Sequence, residues 1–476
     1  MNSGVYSEIW PDTIAAIATP VGGGGIGIIR ISGQKAVGIA AALFTPSVSD
    51  GAHASIRSVD RLPSHYLKHG HIHEPGKQVV VDEVLLVVMR RPNSYTREDV
   101  VEIQSHSGPV VLNRLIKLVL AQGARLAEPG EFTRRAFLNG RIDLTQAEAV
   151  EELISAKSDA ALNFAANHLN GAMKEALEGL IEVIGAQLAE MEAALEFPED
   201  IQDTSNWRQA LESIRTKTIV PIEKMLEHYE EGHLLRDGIR LGIAGAPNVG
   251  KSSLLNTLIR QDKAIVTAIP GTTRDPVEAH MTIDGLPIFI TDTAGLHDSQ
   301  DPVEILGIKK TREHIGQSDI VLFVVDAQCA FSETDLVAFG QLENLHRIVV
   351  VNKIDLVGKP PFPAAPEPFR QHPVTYISAK YGDGLTDLLD TIVQRAIGEI
   401  KLEPGKQIVP NLRQKLALES ALDWLKKSCQ GLEEGISAEL IVSDLARARE
   451  RLCEITGLAG PADLLDDIFS RFCIGK

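Results

Sequence analysis

Gly245, Gly250, Lys251 and Ser252 stand in the spacing G-x-x-x-x-G-K-S. Glycines there let the backbone N–H groups around Asn248, Val249 and Gly250 curl about phosphate oxygens. Lys251 reaches the terminal phosphates, and the Ser252 hydroxyl can ligate Mg²⁺. The apolar run Leu241 to Ala244 reads as a buried strand, while Ser252 and Ser253 open an apolar-periodic helix whose N-terminus favours an anion. Strand, loop and helix in that order are the context the motif requires, so a chance glycine turn is the poorer reading.

Further groups follow in the order a nucleotide site needs. Thr272 and Thr273, in TAIPGTTRD, can close on Mg²⁺ and the terminal phosphate as a switch loop. A strand over Ile288 to Thr291 delivers Asp292 of the tetrapeptide DTAG, which ends at Gly295, to where a carboxylate reaches the metal through water. Asn352-Lys353-Ile354-Asp355 selects the base. An ionised carboxylate only accepts hydrogen bonds, so Asp355 matches the adjacent N1–H and N2–H₂ donors of guanine, where adenine offers an unprotonated N1. Asn352 can brace the loop, Lys353 can lie along the base, and the N–H groups of Ser378-Ala379-Lys380 can meet the guanine O6. The ordered set predicts GTP binding.

Hydrolysis needs one more group. Ras-like proteins orient the attacking water with a glutamine just after DTAG, and here Leu296 stands in that place. Glu304, in DPVEILG ahead of a helical pattern, is the nearest carboxylate able to swing in when the switch loop closes. The Asn248 side-chain carbonyl sits where a monovalent cation can supply positive charge in the manner of an arginine finger. A solvated side chain is the competing reading of both.

Other motifs are weaker. Gly22, Gly24 and Gly27 spell G-x-G-x-x-G, but Ile26, Ile28, Ile29 and Ile31 favour a strand where a dinucleotide fingerprint needs a helix, and no acid follows about 20 positions on. A glycine turn between strands is expected. His69, His71 and His73 alternate, which reads as one solvated strand face ahead of a metal site. Cys329, Cys429, Cys453 and Cys473 show no C-x-x-C pairing, against a disulfide framework or zinc knuckle. The basic pairs Arg90-Arg91 and Arg134-Arg135 are candidates for a nucleic-acid surface, which the net charge of −17 requires to be local.

The elements that hold these residues divide by pattern. At 476 residues the chain exceeds one ordinary core, and roughly three domains are expected. Strand alternation with one helical stretch, GPVVLNRLIKLVLAQG, describes an α+β domain over 1–139. Ala-, Glu- and Leu-rich sequence makes two helical tracts, 140–235 and 401–476, that bracket the phosphate-binding unit at 236–400. The expected fold class is therefore multidomain α/β and α: an N-terminal α+β domain, an α-helical bundle domain and an inserted P-loop (Ras-like) GTPase domain. No apolar run is long enough to cross a bilayer and the N-terminus lacks a basic-then-apolar leader, so a cytoplasmic protein with no membrane partner is expected.

The stretches ATPVGGGGIGIIRISG from Ala18, NSYTREDVVEIQSHSG from Asn93, PGEFTRRAFLNGRIDLTQAEA from Pro129, GAPNVGKSS, VTAIPGTTRD, DTAGL and the terminal FCIGK together resemble the tRNA-modifying GTPase MnmE (TrmE) family over nearly the whole chain. The resemblance implies an N-terminal domain that forms a homodimer and binds a tetrahydrofolate derivative (the 5-formyl or methylene form) at Arg30, Glu102, Arg141 and Lys476. It implies G domains that pair across a K⁺ ion held by Asn248 and by backbone carbonyls of Thr267 and Ile269, with Thr272 and Thr273 in the cation and switch loops. Thr267 then also joins the GTP site, Ser252 and Thr273 hold Mg²⁺, Glu304 takes the catalytic glutamate position, and Cys473 is a candidate for the modification chemistry. Arg141 departs from members that carry lysine there, keeping charge but not geometry; His297 replaces a position often basic in relatives.

By that resemblance the chain works with MnmG, a flavoprotein using NADH, in a heterotetramer or larger complex. Together they add carboxymethylaminomethyl or aminomethyl groups at C5 of the tRNA wobble uridine, with GTP hydrolysis driving the motion. A ribosome-assembly-type GTPase switch without modification chemistry, or a nucleotide-dependent scaffold, are the alternatives; only the first reading predicts folate binding.

Overall fold

In a computed structural model of the chain, the structure describes residues 12–20, 24–47, 58–77, 79–196, 205–260, 278–283, 286–291, 318–329, 331–342, 345–358, 365–397, 407–460 and 462–476. Contacts divide it into two compact units, Met1–Glu151 with Glu450–Lys476, and Glu152–Arg449.

In the first unit, β1 (Ile14–Ile17), β2 (Ile26–Ser32), β3 (Phe44–Pro46), β4 (Tyr66–His73), β5 (Val80–Met89), β6 (Val100–His106) and β7 (Arg125–Leu126) form one sheet, ordered β3-β4-β5-β6-β2-β1-β7. β1 runs antiparallel to β2 and Gly27 lies inside β2, a strand where a dinucleotide fingerprint needs a helix; Gly22 lies outside the described residues. Inward residues Ile29, Ile31, Val84, Leu86, Val88 and Ile103 pack on the helices Ala36–Leu43 and Pro109–Ala121. The second helix shows why: Pro109 starts it, and Leu112, Leu115, Ile116 and Val119 bury one face at helical spacing. His69, His71 and His73 share the opposite face of β4 from Gly70 and Ile72. Among the described residues no three His, Cys, Asp or Glu side chains are placed to hold a metal ion.

The helix Glu131–Leu138 carries Arg135, fully buried, into a ring of carboxylates: Asp12 Oδ1 at 2.9 Å, Glu131 Oε1 at 2.9 Å and Glu98 Oε1 at 3.2 Å. Arg125 closes the ring with bonds to Asp12 at 2.7 Å and Glu131 at 2.6 Å. Burial opposes the charge of Asp12 and Glu131, but the two guanidinium groups outweigh it and hold both carboxyls below their ordinary range. Arg135 is thus no part of a nucleic-acid surface, and Arg134 pairs with Asp466 at 2.8 Å. At the other end of the sequence the helix Ala462–Ser470 packs Ile468 and Phe469, with Phe472, against Phe137, Leu144 and Ala147.

In the second unit the helices Asp159–Leu169, Ala172–Glu196, Ser205–Ile214 and Val220–Asp237 are joined by Leu412–Glu434, which packs on the last two of these. Asn411 and Gln414 form a capping box that starts Leu412–Glu434. Lys415–Glu230 and Lys426–Glu223, each at 2.7 Å, tie the later helical tract to the earlier one. The sheet of this unit comprises β8 (Ile239–Ala244), β9 (Glu278–Ile283), β10 (Leu286–Thr291), β11 (Ile320–Asp326), β12 (His346–Asn352) and β13 (Val374–Tyr376), ordered β13-β12-β11-β8-β10-β9. Only β9 is antiparallel. Its central strands are buried on both faces, with Leu322 and Val324 in one core and Val321, Phe323 and Val325 in the other, which is why they read as continuous apolar runs.

Candidate functional site

The C-terminal ends of β8, β11 and β12, with the loop after β13, converge as parallel register dictates. β8 feeds the glycine loop and the helix Lys251–Arg260, whose first turn exposes Ser252 and Ser253. Gly245 has φ +145°, and a side chain there would meet the Val324 carbonyl at 2.2 Å; one at Gly250 would meet the Asn352 amide at 2.3 Å. Both glycines are therefore fixed by the packing of the loop on its neighbours as well as by room for phosphate. Asn248, exposed, also takes a left-handed backbone with φ +62°.

Lys251 Nζ donates to the carbonyls of Gly245 and Ala246, each at 2.8 Å, so its ammonium lies on the loop it would serve. Asn352 Nδ2 donates to Val249 O at 2.9 Å, and Asn352 Oδ1 accepts from Ala379 N at 2.9 Å. One buried amide thus pins the glycine loop to the Ser378-Ala379-Lys380 loop. Ser378 Oγ donates to Asp355 Oδ1 at 2.7 Å, orienting that carboxylate. Lys380 is exposed and lies over the Tyr381 ring.

Sequence reasoning passed over Asp326. Its Oδ2 accepts from Lys353 Nζ at 2.6 Å, while the same ammonium donates to Asn248 O at 2.7 Å. Burial works to raise the Asp326 carboxyl, but Lys353 and the Gln328 N–H hold it below its usual range. Asp326 ends β11 directly opposite Asn352, the residue before Lys353, in a strand register that the sequence alone does not show. Of the other expected residues, Thr267, Ile269, Thr272, Thr273, Asp292, Gly295, Leu296, His297 and Glu304 lie outside the described residues.

A second cluster forms in the first unit. Arg30 Nε pairs with Glu102 Oε1 at 2.8 Å across β2 and β6, where the two residues are register partners, and Arg30 Nη1 donates to Gly475 O at 3.1 Å. The Tyr95 ring gathers two cations: the Arg30 guanidinium carbon lies 5.7 Å and that of Arg141 4.6 Å from its centroid. Arg141 also donates to Tyr95 O at 3.1 Å. The C-terminal residues dock beside them: Ile474 bridges Pro129, Cys473 O accepts from Gly130 N at 3.5 Å and from Lys476 N at 3.3 Å, and Cys473 is exposed with a free thiol. Arg30, Glu102, Arg141 and the residues flanking Lys476 are thus brought together, while Tyr95 and Phe132, whose ring centroid lies 5.6 Å from Arg30, were not foreseen.

The MnmE helical domain family matches residues 144–473, and the family of the GTP-binding protein TrmE N-terminus matches residues 13–141. The tRNA modification GTPase MnmE of Carboxydothermus hydrogenoformans is 43% identical over 466 residues, covering 98% of this chain and 99% of that protein. Proteins of the same description from Thermoanaerobacter pseudethanolicus and Geotalea uraniireducens are 41% and 42% identical over the same shares.

Proposed function

The chain belongs to the MnmE family of tRNA modification GTPases, and from that premise we propose that it hydrolyses GTP to drive modification of C5 of the tRNA wobble uridine. Its partner in this reading is the flavoprotein MnmG, the product a carboxymethylaminomethyl or aminomethyl group, and the one-carbon donor a tetrahydrofolate derivative. The observation that carries the reading is the bond from Arg30 to Gly475 O. It joins a charged cluster of the N-terminal sheet to the segment bearing Cys473, which a plain GTPase switch has no use for.

The described residues of these sites carry chemistry suited to the groups they would hold. Arg30, Arg141 and Lys476 would offer cations for the carboxylates of a folate tail, Glu102, paired with Arg30, would have an oxygen to accept from a pterin N–H, and Tyr95 would give an aromatic face. Ser252 stands exposed at the start of its helix and would serve as a Mg²⁺ ligand, with Thr273 and Asp292, which lie outside the described residues, completing the set. Asn248, with the carbonyls of Thr267 and Ile269 and the Thr272 segment, would hold K⁺, whose charge offsets that developing on the phosphates. Glu304 would then orient water.

Titrating the purified protein with 5-formyltetrahydrofolate tests the reading: saturable binding is expected, weakened at least about tenfold by Arg30→Ala, which removes a charge-assisted hydrogen bond. No saturable binding by the unsubstituted protein overturns it. GTP turnover should be faster in KCl than in NaCl at equal ionic strength, with Asn248→Ala abolishing the difference; equal rates in the two salts remove the cation assignment alone.

A further inference from the structure

Residues 90–99 leave β5 after Met89 and return to β6 at Val100. Asp99 draws the ends together, accepting from Arg91 N at 3.0 Å and lying 3.8 Å from Arg90 Nη1. Glu98 is committed inward, to Arg135 and to Ser32. The guanidinium groups around this segment are held chiefly by neutral carbonyls. Arg90 Nη2 donates to Asp60 O at 3.0 Å, Arg97 Nη1 to Asn139 O at 3.0 Å, and Arg141 Nη1 to Tyr95 O at 3.1 Å. Carbonyls fix the side chains without cancelling their charge. Arg91, Arg97 and Arg141 are exposed.

In a chain of net charge −17 such a cluster sets up a local positive field against the average of the surface. A protein partner would require an apolar centre to its contact, and none of the large exposed apolar side chains among the described residues falls in 90–99. Phosphodiesters require only planar, persistent donors, which arginine supplies as a fork. Arg97 adopts φ +59°, a left-handed backbone that glycine takes freely, and the residue found there is a long cation.

We propose that this arginine rim, Arg90, Arg91 and Arg97 with Arg141 at its inner edge, receives the sugar-phosphate backbone of tRNA. The phosphates flanking the target nucleotide rest on the rim while its base enters the cluster around Tyr95 and Cys473. The inference rests on the tRNA-modification reading and gives it a location. It also explains how an acidic protein holds a polyanion: through a few guanidiniums held chiefly by carbonyls, with Asp99 the carboxylate beside Arg90.

The test uses the full-length protein and a fluorescein-labelled tRNA transcript with uridine at the wobble position, titrated by anisotropy across a KCl series. The double variant Arg91→Ala/Arg97→Gly, whose glycine suits the backbone at 97, is expected to bind about tenfold more weakly or worse, with the slope of log Kd against log salt reduced by about two. Its GTP turnover without tRNA and its 5-formyltetrahydrofolate affinity should match the unsubstituted protein, as should tRNA binding by Lys117→Ala on the exposed face of Pro109–Ala121. Unchanged affinity and slope in the double variant overturn the proposal while leaving the modification reading intact. So does loss of poly-glutamate binding with tRNA binding kept, which assigns the rim to an acidic protein. If the unsubstituted protein binds no tRNA, the underlying reading fails and the rim with it.

Discussion

At position 355 an ionised carboxylate can only accept, and Ser378 Oγ already donates to its Oδ1 at 2.7 Å, so its orientation toward a base is set by a neighbour on another loop. Asparagine at that position offers an N–H₂ where guanine also presents donors, but matches xanthine, whose C2 carries a carbonyl. Asp355→Asn should lower GTP affinity by roughly 10²-fold, the scale of losing charge-assisted bonds, and raise XTP affinity; nucleotide competition reads both. Preference for GTP retained in that variant would remove Asp355 from base selection. For Glu304→Ala we expect GTP to bind as before while turnover falls by roughly 10², the loss normal for a water-positioning acid or base. Unaltered turnover under saturating K⁺ would end that assignment.

Among elements, the docking of the terminal segment depends on one backbone conformation. Gly475 has φ +97°, and a Cβ there would meet Ile17 O at 2.6 Å and Ala18 Cα at 2.9 Å. Gly475→Ala should therefore lift the segment from the end of β1, weakening 5-formyltetrahydrofolate binding while GTP turnover stays intact; a titration showing full folate affinity would mean the segment is dispensable there. The ring around Arg135 is a structural counterpart. Arg135→Met leaves Asp12, Glu98 and Glu131 facing one another and should cost about 3–5 kcal/mol in urea unfolding of the first unit. Because Asp12 and Glu131 titrate below their ordinary values of 3.8 and 4.5, the ring's contribution is complete above about pH 4.5 and is lost as pH falls through the lower folded values. The contrast between the two units shows what a sequence discloses. β11 and β12 were legible because strands buried on both faces read as continuous apolar runs, and β8 because its Leu241–Ala244 stretch leads into a glycine loop whose spacing phosphate chemistry fixes. Asp326, Tyr95 and the ring of Arg135 were not, because each acts through a contact with residues far along the chain, which leaves no periodicity; Arg134-Arg135 even read as a surface pair.

At the scale of the molecule the proposed reading joins two association events of different kinds. N-terminal domains that dimerise permanently would hold two G domains on one assembly, so that G-domain pairing across K⁺ is an intramolecular step. Its extent is then set by an effective concentration fixed by the connecting helices and not by protein in solution. Two G domains that had to meet by diffusion would instead show specific activity rising with protein concentration. The full-length protein should consequently show K⁺-stimulated GTP turnover per protomer that is flat on dilution, down to the concentration at which light scattering detects dissociation of the dimer. Below that point activity should fall toward the level seen in NaCl. Turnover that declines on dilution while the dimer remains intact would show that pairing is not within one assembly, and would leave the K⁺ requirement standing without the dimer to explain it.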